Sequence, residues 1–203
     1  MKYRTFTLGQ IEAIFNKLGG ENVARQILSG TVEVTVTLVS FLKPLTTVTL
    51  NPTSGKKTSD CFQGSRYYFR DADIDNLLPE DQKATKSGES TAHQLEKEMT
   101  FKEIAQSILN TKEEDEVTLQ KMLIKAGHTH TLPEIEGLIE RQESGEDVGL
   151  NTNSYANLFF TKNREGSVSV VNVYRSDRSW GVFVNSFGLA NQWFRGGRVF
   201  FRN

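Results

Sequence analysis

Between Asn157 and Arg202 the chain reads as four short β-strands, and this pattern limits the fold more than any other feature. Asn157–Lys162, Ser167–Arg175, Trp180–Phe187 and Arg198–Arg202 are rich in Val, Phe, Tyr and Trp, residues that suit a pleated, half-buried surface. Asn163-Arg164-Glu165-Gly166 and Ser176-Asp177-Arg178-Ser179 join the first three through turn-like connectors, which favour antiparallel hairpins. Strands and helices do not alternate regularly along the chain, so a parallel nucleotide-binding sheet is not expected.

The remainder supplies helices and a few more strands. Thr7-Leu8-Gly9-Gln10 has the spacing of a capping box, and Leu8, Ile11, Ile14, Phe15 and Leu18 follow as one apolar stripe at helical spacing. Gly19-Gly20 ends that helix, and a second runs from Glu21 to Gly30. Alternation predicts a strand over Thr31–Ser40, with Leu45–Leu50 and Ser65–Phe69 as further strands. A capping box at Thr100-Phe101-Lys102-Glu103 opens a helix with Phe101, Ile104, Ala105 and Ile108 inward. Helices over Glu113–Ala126 and Pro133–Gln142 follow, the latter with proline in its favoured first position. Pro79–Met99 holds almost no apolar residues in its first half and reads as a flexible linker or long loop. The expected organisation is α+β: a helical hairpin with strands over 1–78, a linker over 79–99, and over 100–203 helices leading into an antiparallel sheet.

Charge and cysteine content restrict the class of protein. Net charge is −1 overall, yet residues 1–70 and 151–203 are basic and residues 71–150 are strongly acidic. Such blocks either pair internally or leave a basic face for a polyanion. Cys61 is the single cysteine, so no disulfide framework forms within the chain, and a reducing cytoplasm is the expected compartment. No apolar run reaches the roughly 18 residues of a membrane helix, and the N-terminal residues lack the apolar core of a secretory signal. A membrane partner is therefore not expected.

Sites with a chemical signature are few. The two-helix start suggests a helix-turn-helix, but Phe15 and Arg25 stand where the turn glycine Gly19 requires a small residue and an aliphatic one. His128 and His130 have a spacing that metals tolerate, yet two ligands make no site. Cys61 lacks the surroundings of a nucleophile. Asp71, Asp73 and Asp75 begin like a calcium loop, which fails at Asn76 and Gln82. No phosphate loop or dinucleotide turn is present, so no catalytic residues, metal or cofactor are assigned.

The C-terminal third is the most suggestive segment. Eleven aromatic residues fall within 151–203, interleaved with Arg175, Arg178, Arg195, Arg198 and Arg202. Aromatic faces stack on unpaired bases and arginines meet phosphates, although sheet cores are also rich in aromatics. Arg175, Arg178, Trp180, Trp193, Arg195 and Arg198 are the candidate nucleic-acid-binding residues. The expected function is a non-catalytic binding module for single-stranded nucleic acid or a protein partner. The alternatives are an enzyme assembled from scattered residues such as Tyr174, Arg175, His128 and Glu134, or a structural protein.

Leu8-Gly9-Gln10-Ile11-Glu12-Ala13 with Asn16-Lys17-Leu18-Gly19-Gly20, and Trp193 followed by Arg198-Val199-Phe200-Phe201-Arg202, resemble the opening and the end of an uncharacterised family of bacterial metagenome proteins. The resemblance implies a bacterial origin and no activity.

Overall fold

In the computed structural model, which describes residues 7–17, 19–29, 31, 41–188 and 192–203, the capping boxes expected at Thr7 and Thr100 both form. At the first, the Thr7 amide donates to Gln10 Oε1 at 2.9 Å and the Gln10 amide to Thr7 Oγ1 at 3.3 Å. Helix α1 (Leu8–Lys17) follows, and α2 (Gly20–Leu28) comes after a turn in which Gly19 and Gly20 take φ of 109° and 80°. Both values lie where a Cβ is strongly disfavoured. Arg25 pairs with Glu21 one turn away at 2.6 Å, and Ile14 is 46% exposed. The strand expected over Thr31–Ser40 falls almost entirely outside the described residues. The two compact units are Met1–Val39 and Ser40–Asn203.

The second unit is α+β. Its strands are β1 (Leu42–Leu50), β2 (Lys56–Lys57), β3 (Tyr67–Arg70), β4 (Asp81–Gln82), β5 (Gly88–Leu95), β6 (Asn157–Lys162), β7 (Val168–Ser176), β8 (Ser179–Ser186) and β9 (Arg198–Arg202). Its helices are α3 (Asp73–Leu77), α4 (Phe101–Leu109), α5 (Glu116–Lys125) and α6 (Leu132–Glu143). Seven strands make one sheet in the order β1-β5-β9-β6-β7-β8-β3, and β2 pairs with β4 separately. The sheet is mixed. The hairpins β6–β7 and β7–β8 are antiparallel, as their short turns require, whereas β6–β9 and β3–β8 are parallel.

The linker expected over 79–99 is a correction. It contains β4 and β5, and β5 lies inside the sheet between β1 and β9. Its composition is polar, but Ser90, Ala92 and Leu95 are buried, and its backbone is consumed by ladders on both sides. Cross-strand contacts suit its residues: Thr47 and Thr91 share a hydroxyl hydrogen bond of 3.0 Å, and His93 stacks on Phe201 at 4.7 Å. The division into domains 1–78 and 100–203 falls with it, because β1 and β3 sit in the same sheet as β6–β9.

Both sheet faces are covered, by different elements. Leu132, Ile135, Leu138 and Ile139 of α6 pack with Phe159, Val171, Val173, Trp180, Val182 and Phe200. On the other face, Phe101, Ile104 and Ala105 of α4 and Leu119 and Leu123 of α5 pack with Leu158, Phe160, Val168, Val170 and Val199. Neighbouring residues of β6, β7 and β9 thus serve opposite cores, as the two-residue period of a strand demands. In β1 an irregularity between Pro44 and Thr46 shifts that period, so that Leu42 and Leu50 enter different cores.

Candidate binding site

Helices α4 and α5 cover only part of their face. Val168 and Val170 of β7 lie beneath them, but on the same side of the strand the next outward residues are Asn172 and Tyr174. Phe183 of β8 pairs with Asn172 across the ladder. Beyond it comes β3, where a register shift between Tyr67 and Phe69 gives one extra residue. Such a bulge re-aims side chains. Tyr67 enters the α6 core, while Tyr68 and Phe69 both join the opposite face.

The result is a row of rings on three adjacent strands. Tyr174 stacks on Phe183 at 5.1 Å and 9°, and Phe183 stacks on Phe69 at 4.5 Å and 21°. Tyr68 meets Tyr174 edge to face at 6.1 Å. Gly181 makes room for Tyr68, since a Cβ there would lie 2.5 Å from its hydroxyl oxygen. Burial, then a hydrogen bond shared with Tyr174, pushes the Tyr68 hydroxyl up to about 12, so the phenol is protonated at neutral pH. Tyr68 and Phe69 are 48% and 42% exposed.

Beside this row lies a concavity of about 490 Å3, lined by Ser154, Tyr155, Ala156, Asn172, Tyr174, Gln192, Trp193, Phe194 and Gly197. None of these residues is charged. Trp193 is held by paired main-chain hydrogen bonds with Met99 and by stacking on Phe101 at 5.2 Å. The Gly197 amide bonds the Phe194 carbonyl, and Gly196 takes φ 95° at the third position of that turn, as a type II turn requires. Phe194 is the most exposed of the ring walls. Two side-chain atoms of this lining, Asn172 Oδ1 and Trp193 Nε1, are buried without a hydrogen-bond partner.

The residues singled out from the sequence do not gather in one place. Trp193 lines the concavity, and Arg195 stands exposed in the adjoining turn. Arg175, Arg178 and Trp180 lie on the α6 side. Trp180 is fully buried and donates from Nε1 to Glu143 at 3.0 Å, and Arg175 pairs with the same carboxylate at 3.1 Å. Arg178 lines a polar depression with Arg66, Glu140 and Glu143. Arg198 donates to the Gly149 carbonyl at 2.6 Å, and burial lowers its pKa below the ordinary guanidinium value. Arg195 and Arg198 therefore form no clamp, because Arg198 faces the α6 side. Tyr68, Phe69 and Tyr155, outside the candidates from the sequence, belong to the aromatic surface; the signal was the run Tyr67-Tyr68-Phe69, which no single strand face can absorb.

Among the described residues the candidate catalytic side chains do not come together at an open site. Ser90 Oγ and His130 Nε2 lie 2.8 Å apart, but both residues are buried, so no substrate reaches the pair. Burial first, then the charges of Arg202 and His128, pushes the His130 pKa down to about 3. Glu134 is tied to Arg202 and to the Thr131 cap, and His128 Nδ1 meets the Arg202 carbonyl. Cys61 is buried, and that burial raises its thiol to about 12, which removes the thiolate needed for nucleophilic attack. A larger groove of about 520 Å3 runs along α6, where Lys56 pairs with Glu136, Glu140 with Arg66 and Arg141 with Glu146. Among the described residues no cluster of His, Cys, Asp and Glu could hold a metal ion, and no helix is long and apolar enough to cross a membrane. No family model matches the chain, and no curated protein or solved structure is similar to it.

Proposed function

We propose that the chain is a non-catalytic binding module that holds an extended segment of a partner protein across the uncovered half of its sheet. The observation that carries this reading is the neutral aromatic concavity beside the stacked row of Tyr174, Phe183 and Phe69. Contiguous exposed apolar surface of this kind marks interaction sites, and a few convergent polar groups among aromatic walls fix a ligand's orientation.

Single-stranded nucleic acid is the rival occupant, favoured by the exposed Arg195. Two features count against it. Phosphate contacts dominate nucleic-acid affinity, yet the lining carries no cation and Arg175 already meets Glu143. Bases stack on free ring faces, yet both faces of Phe183 are occupied, by Phe69 and by Tyr174.

Probing an array of immobilised twelve-residue peptides with wild-type protein and Phe194→Ala tests this reading, alongside labelled oligo(dT) and oligo(U) at two salt concentrations. Phe194 is 69% exposed, so its truncation leaves the core intact and removes about 1–2 kcal/mol of apolar contact with a bound segment. Peptide spots bound by wild type and lost in the variant are the expected result. Oligonucleotide binding that weakens steeply with salt, with no peptide retained, overturns it.

A further inference from the structure

We propose that the α5–α6 connection is an acid-operated latch: protonation of His130 frees residues 127–131 from the end of β9 while the sheet itself stays folded. The proposal is independent of the binding reading above.

The chain has three histidines, and all three meet at the end of one strand. His93 of β5 stacks on Phe201 at 4.7 Å, and His128 meets the same ring edge to face at 5.3 Å. His128 Nδ1 also lies 2.8 Å from the Arg202 carbonyl. His130 Nε2 lies 2.8 Å from Ser90 Oγ, and Ser90 pairs with Arg202 across the β5–β9 ladder. Phe201 points away from the core that holds Phe200, whereas Ser90 shares a face with Ala92 of that core. Between His128 and His130 the connection therefore crosses the end of the sheet from one face to the other. The His130 amide fastens it there to the Phe160 carbonyl at 2.8 Å. Gly127-His128-Thr129-His130-Thr131 contains no aliphatic hydrocarbon side chain. Its attachment thus rests on imidazole contacts and main-chain hydrogen bonds, and segments with few apolar contacts open at lower cost than the core.

A second proton on His130 has no place to go. The ring is buried, and its Nδ1 has no hydrogen-bond partner. The charges that act on it are Arg202 of β9 and His128 of its own connection, and both oppose protonation. Ser90 of β5 and Phe159 and Thr161 of β6 bring no carboxylate, and Glu134 of α6 is taken by Arg202 at 3.0 Å. The imidazolium would be a buried cation without a counter-ion, which is costly. Moving the connection outward into water removes that cost and breaks only its few fastenings, and protonation of histidines at about pH 5–6 is a common trigger of such changes. Thr131 caps α6, whose first turn lines the larger groove through Pro133 and Glu134, so the latch bears on that groove.

Amide hydrogen exchange followed by NMR between pH 5 and pH 7 decides the matter, with each rate divided by the intrinsic rate at the same pH. The amides compared are those of His130, at the latch, and Val171, in the interior strand β7. As pH falls below about 6.5, the protection of His130 is expected to drop by up to about tenfold per unit. At pH 5 it should lie below that of Val171, which is exposed only by global unfolding. His130→Gln, which keeps a hydrogen-bonding group and cannot become charged, should lose this pH dependence in residues 127–131. Equal protection of the two wild-type amides at every pH means that the connection opens only with the whole sheet, and it overturns the proposal whether or not the variant folds. A His130 protection independent of pH, or a pH dependence that survives in the variant, overturns it as well.

Discussion

Replacing Asn172 by Val tests whether the aromatic face is kept for binding. Asn172 is the polar member of a run otherwise read as Val170, Val171 and Val173, with Leu158 and Phe183 as its cross-strand neighbours. It is 8% exposed, and its Oδ1 has no hydrogen-bond partner. An unsatisfied buried acceptor costs about 1–3 kcal/mol, and valine is favoured over asparagine in strands within a scale spanning about 1 kcal/mol. Against this stands the loss of whatever contacts the amide nitrogen makes. The net expectation for Asn172→Val is a gain of about 1–2 kcal/mol, or a rise in Tm of about 2–8 °C for a unit of this size. Thermal unfolding followed by circular dichroism reads the shift, and urea unfolding with an unchanged m-value confirms that it reflects the native state. Because Asn172 also lines the concavity, the stabilised variant should bind its peptide more weakly, the trade expected of a residue retained for function. A lower Tm refutes the reasoning, since it means that the side chain serves the fold.

His130 is expected to make the protein acid-sensitive well above the carboxylate range. Its pKa falls from an ordinary 6.5 to about 3 on folding, so the unfolded chain binds a proton that the native state refuses. The stability present above pH 6.5 is then lost as pH drops toward 3, by up to about 1.4 kcal/mol per unit. Burial also lowers His93, which adds in the same direction. Urea unfolding at pH 7 and pH 5 should differ by about 2 kcal/mol, and a flat profile would contradict a neutral buried imidazole. Glu134→Gln should cost about 2–3 kcal/mol by denaturant unfolding, less than for a fully enclosed pair because Arg202 remains partly open to water. An effect below about 0.5 kcal/mol would mean that the Glu134–Arg202 pair contributes nothing.

Legibility in the sequence followed apolar content. Strands β6 and β9 match their expected limits, and β7 and β8 lie within a residue or two of theirs, because alternating Val and aromatic residues met clear turn signals at Asn163–Gly166 and Ser176–Ser179. Strand β5 was missed for the converse reason. The segment Gly88–Leu95 offers small and polar residues, and its burial comes from the apolar side chains of neighbouring strands and from the Ser90–His130 hydrogen bond. The parallel pairings β6–β9 and β3–β8 depend on partners distant in sequence, which periodicity cannot register. The site was half visible. Counting aromatics and arginines located Trp193, but a strand's alternation sends neighbours to opposite faces, so Arg175 and Tyr174 part company despite being adjacent. Only the parallel docking of β3 brings Tyr68 and Phe69 into the row.

Among the described residues, the part of the sheet that α4 and α5 leave uncovered follows from element lengths. Strand β7 has nine residues and extends about 30 Å, whereas α4 and α5 have nine and ten residues and reach about 15 Å each. Even lying along the strands, these helices cover about half of β7, the half bearing Val168 and Val170. On the opposite face the twelve-residue α6 is supplemented by Phe62, Ile74 and Leu78 from the β2–β3 and α3 segments, which close that core. On the second face the supplement, Met99, Phe187 and Trp193, adds to the core beneath α4 and α5. Beyond that core the rings cover one another, and each stacked contact hides aromatic faces from water. A face built in this way hides ring surface from water and leaves Phe69, Tyr155 and Phe194 exposed, the surface on which the proposed partner would dock.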